Sequence, residues 1–329
     1  MGYSRFPSWR SDGSFATSSS SGARKNTIYR GYGAQSRLRL RTLTLQETGH
    51  STGAVSLRDL MDGAPVRVPE THLDLKTLVA RLVRGGFPGA LNLSQEAARR
   101  FNSDYLDQIS RVDIDFDDRL DHDPAKLRSL LGSLARNTAT EARISTLVTD
   151  LSGADGGPSR STVERYLSSL RRTFILEEQP AWAPAIRSSV TLRTAPKRHL
   201  VDVCLATAAR NVDENRLLLD LRTLGLFFES FVHQHLLTYS AGLDAQVFHY
   251  RDSYGLEVDA IVQTRSGQWA AFEVKLGPGQ VEAAAQQLLK LATQTEGQPP
   301  SALVVILPTG FAYTRPDGVS VVPLSHLGP

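Results

Sequence analysis

Alternating hydrophobic and polar residues predict two neighbouring strands in the last third of the chain. Residues 256–262 (LEVDAIV) alternate, and so do residues 268–276 (QWAAFEVKL). Successive side chains of a strand point to opposite faces, so Glu273 and Lys275 are expected on one face, opposite Phe272 and Val274. If the two segments pair as a hairpin, Asp259 comes close to Glu273. The pattern therefore predicts two carboxylates and one ammonium group side by side.

The segments on either side of these strands predict a small α/β core. Residues 224–237 form an apolar run with helical spacing, and Glu229 lies inside it. A carboxylate in such a run needs a partner, which a shared metal ion or the lysine would supply. Downstream, residues 281–293 predict a helix and residues 302–307 an apolar strand. The order is helix, strands, helix, strand.

The middle of the chain has the spacing of three short amphipathic helices. Asp123-Pro124 predicts a capped helix start, and apolar residues follow at i, i+3, i+4 and i+7. The pattern repeats over 144–151 and again after a capping box at 161–164 (STVE). Residues 173–178 (TFILEE) then favour a strand. This order predicts a winged helix-turn-helix.

The first part of the chain is less regular. Residues 1–26 contain few apolar positions and the run 18–22 (SSSSG), so no stable core element is expected there. The second half of 32–47 alternates as a strand does, and residues 94–109 predict a helix.

Composition limits the class of protein. The 329 residues are 41% hydrophobic, which allows two or three domains with real cores. No apolar run approaches the ~18 residues of a membrane span. The single cysteine, Cys204, excludes a disulfide framework and a cysteine-based zinc site, and it fits a reducing cytoplasm. Up to Leu45 there are eight Arg or Lys against one acid, Asp12, which is typical of a transit peptide or of a disordered or remnant segment.

Four separated elements carry a family resemblance. In order they are 228–229 (FE), 250–252 (YRD), 257–259 (EVD) and 273–275 (EVK). The chain resembles a prokaryotic family of AAA+-like ATP-binding proteins, whose C-terminal domain of unknown function is similar to the PD-(D/E)xK nuclease fold.

The resemblance implies site residues. It places Glu229, Asp259, Glu273 and Lys275 at the acid, acid, acid and lysine positions of the nuclease motif. Lys197 and Asp202 also match the family pattern, and we expect a structural ion pair there.

The resemblance begins late in the family's ATPase domain. Residues 32–47 and 85–88 (GGFP) resemble the part after its second nucleotide motif, but the chain has no Gly-x-x-x-x-Gly-Lys-Ser/Thr loop to cradle phosphate. The glycine-rich run 153–158 lacks the lysine and is interpreted as an ordinary loop. We therefore expect an N-terminally truncated relative with no ATP site, which does not hydrolyse ATP.

Two functions of different class remain open. In the first, Asp259 and Glu273 bind Mg²⁺ or Mn²⁺ and Lys275 orients a water molecule, which makes a metal-dependent DNA endonuclease. In the second, the chain is a non-catalytic DNA-binding or protein-interaction module, and the acid-x-lysine pattern is a solvated strand face or scaffold.

DNA contact is assigned to the start of the third helix of the middle segment. The residues are Arg160, Ser161, Thr162 and Arg165. Such three-helix units also serve as connectors between domains or proteins, and a few arginines on a helix are ordinary.

The sequence thus predicts a mixed α/β, multidomain, cytoplasmic protein. The expected parts are a low-complexity segment (1–26), a remnant of the ATPase domain and lid (27–120), a winged-helix-like module (121–185), a linker (186–214) and a nuclease-like domain (215–329). Expected partners are DNA and a protein partner or a second copy of the chain, but no membrane.

Overall fold

The computed structural model describes residues 39–69, 73–111, 123–152, 157–183 and 195–329. The segment predicted to be of low complexity, 1–26, lies outside them. Residues 41–329 form one compact unit. The α-helices are α1 (Leu57–Met61), α2 (Leu75–Arg84), α3 (Gln95–Arg111), α4 (Pro124–Arg136), α5 (Ile144–Leu151), α6 (Arg160–Arg172), α7 (Val203–Arg210), α8 (Glu214–Leu219), α9 (Leu221–Ala241) and α10 (Val281–Gln294). The strands are β1 (Val55–Ser56), β2 (Arg67–Val68), β3 (Leu176–Gln179), β4 (Lys197–Leu200), β5 (Ala245–Arg251), β6 (Glu257–Thr264), β7 (Trp269–Val274), β8 (Ala302–Leu307), β9 (Ala312–Thr314), β10 (Ser320–Pro323) and β11 (Leu327–Gly328).

A mixed seven-stranded sheet dominates the C-terminal half, with strand order β2-β9-β10-β8-β7-β6-β5. Strands β5, β6 and β7 form an antiparallel meander, whereas β7, β8 and β10 run parallel. A parallel pair needs a crossover connection, and α10 supplies it between β7 and β8. The predicted mixed α/β class and the predicted strands and helices of this half are confirmed.

The two faces of the sheet are covered by different helices, as strand alternation requires. On β6 and β7, Ala260, Val262 and Phe272 share one buried cluster with residues of α9. Ile261 and Ala271 point the other way and share a second cluster with residues of α10. The functional side chains of β6 and β7 therefore emerge at the ends of strands buried on both sides.

The middle segment contains α4, α5 and α6, and then β3, which pairs antiparallel with β4. This order agrees with the predicted three helices and a strand. The expected linker (186–214) contains β4 and the buried helix α7, which packs against α2, α3, α4 and α9. Its sequence, VCLATAAR, has no charge before Arg210, so burial costs little. Whether these parts are separate domains stays a prediction.

The predicted capping box at 161–164 is wrong. Helix α6 is capped two residues earlier, by Ser159, whose hydroxyl accepts a hydrogen bond from the Thr162 amide at 3.2 Å. The Glu164 carboxylate pairs with Arg160 at 2.9 Å instead of turning back to the cap. The Asp123 cap and the Pro124 start of α4 are as predicted.

The strand predicted in the second half of 32–47 is not present in its described part. Residues 41–44 have no regular structure, and a turn follows from Leu45. Their amides bond outside a ladder, because Leu43 N donates to the Gly86 carbonyl at 2.8 Å and Leu45 N donates to the His235 ring at 2.8 Å. The alternation does not describe burial here either, because Leu40 is 86% exposed whereas Thr42 and Thr44 are buried.

Two short N-terminal strands join the C-terminal half. β1 pairs parallel with β11, and β2 pairs antiparallel with β9 at the edge of the main sheet. No helix in the described parts of the chain has the length and apolar character that crossing a membrane requires.

Candidate active site

The β6–β7 hairpin brings the first two predicted site residues together. Ala260 lies opposite Phe272, and one further step of this antiparallel register puts Asp259 opposite Glu273. An Asp259 carboxylate oxygen accepts a hydrogen bond from the Val274 amide at 2.8 Å, which fixes its orientation. The predicted hairpin is confirmed, and it holds the two acids side by side.

The Lys275 ammonium group lies against both acids. Its Nζ is 2.5 Å from Glu273 Oε2 and 3.6 Å from Asp259 Oδ2. Lys275 follows the last residue of β7, and its backbone amide donates to the Ile306 carbonyl of β8 at 2.9 Å. The sheet thus positions the lysine from both sides.

Glu229 joins this group from helix α9, but its partner is neither Lys275 nor another acid. Lys197 of β4 donates to Glu229 Oε1 at 2.7 Å. The same ammonium group lies 3.2 Å from Glu257 Oε1 and 3.6 Å from Asp259 Oδ1. Its side chain is only 2% exposed. Lys197 is therefore a buried cation at the centre of three carboxylates.

The expected ion pair between Lys197 and Asp202 is wrong. Asp202 instead caps α7 by accepting from the Cys204 amide at 3.0 Å. It also accepts from the Gly86 amide at 2.9 Å and from the Gln234 side chain at 3.1 Å. A buried carboxylate can be satisfied by such donors alone. Lys197 pairs instead with the acids of α9 and β6.

Sequence reasoning missed Lys197 and Glu257 as members of the site. Glu257 accepts from Lys197 through Oε1, while its Oε2 lies 3.4 Å from the Arg251 guanidinium. All four residues of β4, KRHL, are buried. Because lysine is almost never fully buried unless it is paired, a lysine in such a strand indicates an acidic partner.

Polar side chains behind the site hold β4 and β6 in place. The Gln179 side-chain nitrogen donates to the Asp259 backbone carbonyl at 2.9 Å, and its side-chain oxygen accepts from the His199 Nε2 at 3.1 Å. The other ring nitrogen of His199 lies 3.1 Å from the Ser230 hydroxyl. His199 stacks on His233 with ring centroids 4.1 Å apart. The strand carrying Lys197 is thus anchored on both β6 and α9.

Burial and charge move the pKa values of the acids apart. Burial, together with the neighbouring Asp259 charge, raises the pKa of Glu273 well above its usual range and that of Glu229 to about 8. Burial also acts to raise the pKa of Asp259, but the Lys197 and Lys275 charges and the Val274 amide outweigh it and lower that pKa. Asp259 is therefore the carboxylate that stays ionised.

Both lysines remain charged. Burial acts to lower the pKa of Lys275, but the Asp259 and Glu273 charges prevail and raise it. The pKa of Lys197 is likewise raised, since three surrounding acids outweigh its burial. Neither lysine is a proton acceptor at neutral pH.

A cavity of about 410 Å³ opens onto this group of side chains. Glu229, Asp259 and Lys275 line it together with Arg222 and Gly225 of α9. A larger cavity, of about 550 Å³, is lined by residues of α3, α7 and α8 and contains none of the predicted site residues. The larger cavity therefore lies away from the clustered acids and lysines.

The residues predicted to contact DNA lie apart from this group in the fold, in the first turns of α6. Arg160, Ser161 and Arg165 are exposed, and Thr162 is half-buried. Arg160 pairs with Glu164, and Arg165 donates to the Thr162 hydroxyl at 3.4 Å. Their contact with DNA stays a prediction.

Within the described ranges, no cluster of three or more His, Cys, Asp or Glu side chains is arranged to hold a metal ion. The donor set nevertheless fits one. Asp259 and Glu273 supply the hard carboxylate oxygens that Mg²⁺ prefers, and both converge on one positive charge, that of Lys275. Four carboxyl groups (Glu229, Glu257, Asp259 and Glu273) lie against three cationic groups (Lys197, Lys275 and Arg251).

Comparison with known domain families divides the chain close to the start of α9. Residues 75–216 match a family described as a domain of unknown function, DUF8612. Residues 224–327 match DUF4143, another domain of unknown function. A search of curated proteins and a search of solved structures gave no match.

The candidate active site spans both matched regions. Lys197 belongs to the DUF8612 match, whereas Glu229, Asp259, Glu273 and Lys275 belong to the DUF4143 match. The DUF4143 match agrees with the resemblance to a C-terminal domain of unknown function. The origin of the earlier residues in an ATPase domain stays a prediction.

Proposed function

We propose that this chain is a divalent-metal-dependent nuclease that acts on DNA. The observation that carries the proposal is the convergence of Glu229, Asp259, Glu273 and Lys275, from one helix and a strand hairpin, beside one cavity that Glu229, Asp259 and Lys275 line. Two carboxylates beside a permanently charged lysine suit the hydrolysis of a phosphodiester, whose transition state gains negative charge.

In this proposal Asp259 and Glu273 hold Mg²⁺ or Mn²⁺. The ion would polarise a phosphoryl oxygen and lower the pKa of a bound water molecule. Burial and the neighbouring Asp259 charge raise the pKa values of Glu229 and Glu273, and a divalent cation at Asp259 and Glu273 would lower them again by stabilising the ionised carboxylates.

Lys275 acts as a cation and donor. Because its pKa is raised, the ammonium group keeps its proton and cannot serve as general base. It orients the attacking water and stabilises negative charge on the phosphate oxygens. The hydrogen bond to Glu273 and the backbone bond to Ile306 hold it in place before substrate arrives.

Glu229 completes the acidic wall of the site, and Lys197 positions it. The 2.7 Å bond from Lys197 fixes the carboxylate that α9 directs toward Asp259.

A second candidate function, DNA binding or protein interaction without catalysis, has its own supporting observation. The two lysines already form ion pairs with the acids, as they would in a purely structural network. In that case α6, with exposed Arg160 and Arg165, would carry the interaction. A partner protein or a second copy of this chain would then be the other ligand.

Metal binding separates the two. Titration calorimetry with Mn²⁺ should show one site in the wild type, weakened at least about tenfold in Asp259→Asn and in Glu273→Gln, since each removes one charged ligand. Asp317→Asn, a carboxylate paired with Arg315 outside the site, is the matched control and should bind as the wild type does. Equal Mn²⁺ binding by all four proteins would exclude the proposed site.

A further inference from the structure

The cavity above the site has a polar entrance built by one face of α9. Arg222, Gly225 and Glu229 are spaced at i, i+3 and i+7, so they share a helix face, and all three line the cavity. The opposite wall is the end of β7 with Lys275 and Leu276. The exposed Arg222 therefore lies at the entrance of the cavity, and the less exposed Glu229, Asp259 and Lys275 lie in its interior.

Arg222 is available to bind an anion. It is exposed, and it forms no salt bridge with any carboxylate in the described parts of the chain. The nearby Asp220 caps α9, accepting from the Thr223 amide at 3.1 Å and from its hydroxyl at 2.7 Å, and its charge interacts with Arg222 without a salt-bridge contact in the described parts of the chain. A guanidinium with free donors is well suited to a phosphate group.

Gly225 keeps the entrance open. A Cβ atom at this position would meet nothing nearer than a Leu276 methyl carbon, at 3.8 Å. The surrounding atoms would leave room for a side chain at position 225. Because glycine has none, the space between Arg222 and Lys275 stays open. The apolar side chain of Leu221, 60% exposed, lines the same entrance and offers a surface for a base.

The reacting groups are recessed. The side chain of Glu273 is 2% exposed, that of Asp259 13% and that of Lys275 25%. The cavity of about 410 Å³ is a recess in the surface, and a duplex keeps its bases and phosphates in the stack, so it can lie only across the opening. One nucleotide of a flexible strand can leave the stack and reach the recessed groups.

We infer that the site takes single-stranded DNA, one nucleotide of which enters this cavity while Arg222 binds a backbone phosphate at the entrance. The inference rests on the proposed nuclease function and specifies its substrate class. An intact duplex does not reach the cavity, whereas a duplex with a frayed or tailed end reaches it through the unpaired strand.

The test compares three DNA substrates of one sequence: a single strand, a blunt duplex and a duplex with a single-stranded tail. Binding is measured by fluorescence anisotropy with Lys275→Ala in Ca²⁺, and cleavage is measured with the wild type in Mg²⁺. We expect the single strand and the tailed duplex to bind at least about tenfold more tightly than the blunt duplex, and cleavage to fall in the unpaired region.

Two variants test the entrance. Arg222→Ala should weaken single-strand binding and reduce the slope of log affinity against log salt by about 0.7, the value for one lost phosphate contact. A merely structural arginine would leave that slope unchanged. Gly225→Leu, which fills the entrance, should abolish binding and leave the thermal unfolding midpoint within a few degrees. Arg216→Ala, an exposed arginine of α8, is the matched control and should change neither measurement.

The outcomes separate the inference from the proposed function. Equal binding of blunt duplex and single strand, or an unchanged salt slope in Arg222→Ala, would overturn the inference even if DNA is cut. Single-strand preference that depends on Arg222 and Gly225 supports it even if nothing is cleaved, in which case the nuclease proposal alone fails.

Discussion

Lys197 is the residue on which the candidate site depends most. It is 1% exposed, and it contacts carboxylates from α9 and from two positions of β6. A buried ion pair gains little over apolar packing, but removing one partner leaves the others as uncompensated buried charges. Lys197 therefore holds the acids in place more than it stabilises the fold in net terms.

Replacement of Lys197 by methionine should lower the free energy of unfolding by about 3–5 kcal/mol, because Asp259 loses a buried counter-charge and Glu229 loses its hydrogen-bond donor. Urea unfolding at pH 7.5 measures the change. Lys290→Met, at an exposed position of α10, should change it by less than about 0.5 kcal/mol. Adding Glu229→Gln to Lys197→Met should recover part of the loss, and a single Lys197 variant as stable as the wild type would contradict this account.

Buried histidines should make the protein sensitive to acid. Burial lowers the pKa of His233 to about 3 and those of His235 and His249 to about 4. These pKa values of the folded protein lie below the value of about 6.5 in the unfolded chain. The contribution of the neutral histidines to the free energy of unfolding is therefore complete above pH 6.5, and it is lost as the pH falls toward 4.

At pH 5 the loss should be on the order of 2 kcal/mol for each of these histidines, relative to pH 7.5. Urea unfolding at the two pH values measures it. In His233→Leu, which keeps a side chain of similar size beside His199, the difference between the two pH values should shrink by that amount. An unchanged pH dependence in this variant would show that His233 titrates normally in the fold.

At the scale of elements, the sequence patterns correctly predicted those helices and strands whose positions depend on residues close together in the chain. Alternation located β6 and β7, and the Asp123-Pro124 signal located the start of α4, because both depend on neighbours in the chain. The strand expected near Leu43 failed because its amides bond to Gly86 and His235, which are remote in sequence. The partner of Glu229 was missed for the same reason, since only the tertiary fold brings Lys197 to it.

The start of α6 gives a direct test of one corrected element. Ser159→Ala should lower the free energy of unfolding by about 1 kcal/mol, because the Thr162 amide loses its cap. Ser161→Ala, at the position where the sequence placed the cap, should change it by less than about 0.3 kcal/mol. The pair is compared by urea unfolding, and a larger effect at Ser161 would restore the original capping box.

At the scale of the whole molecule, the two regions that match different domain families share one site and one fold. Trp182, just after β3, packs on Trp269 of β7 with ring centroids 4.6 Å apart, and its backbone amide donates to the His249 carbonyl at 2.7 Å. Lys197 and Gln179 reach the same sheet. The family boundary near α9 is thus not a boundary between independent packing units.

Unfolding should therefore be a single cooperative transition. Tryptophan fluorescence reports on the Trp182–Trp269 contact, and far-ultraviolet circular dichroism reports on the helices. The two probes should give the same midpoint in urea, in the wild type and in Lys197→Met. Midpoints separated by more than their error would show that the two matched regions unfold independently.

The measurement that tests the central claim most directly is DNA cleavage in the presence of Mg²⁺ or Mn²⁺ by the wild type, Lys275→Ala and the control Lys290→Ala. The account predicts metal-dependent cleavage by the wild type and by Lys290→Ala, and at least about a hundredfold less by Lys275→Ala, which keeps the fold but loses the charge at the phosphate. A folded wild type that cuts no DNA with either metal, or a Lys275→Ala variant that cuts as fast as the wild type, would contradict it.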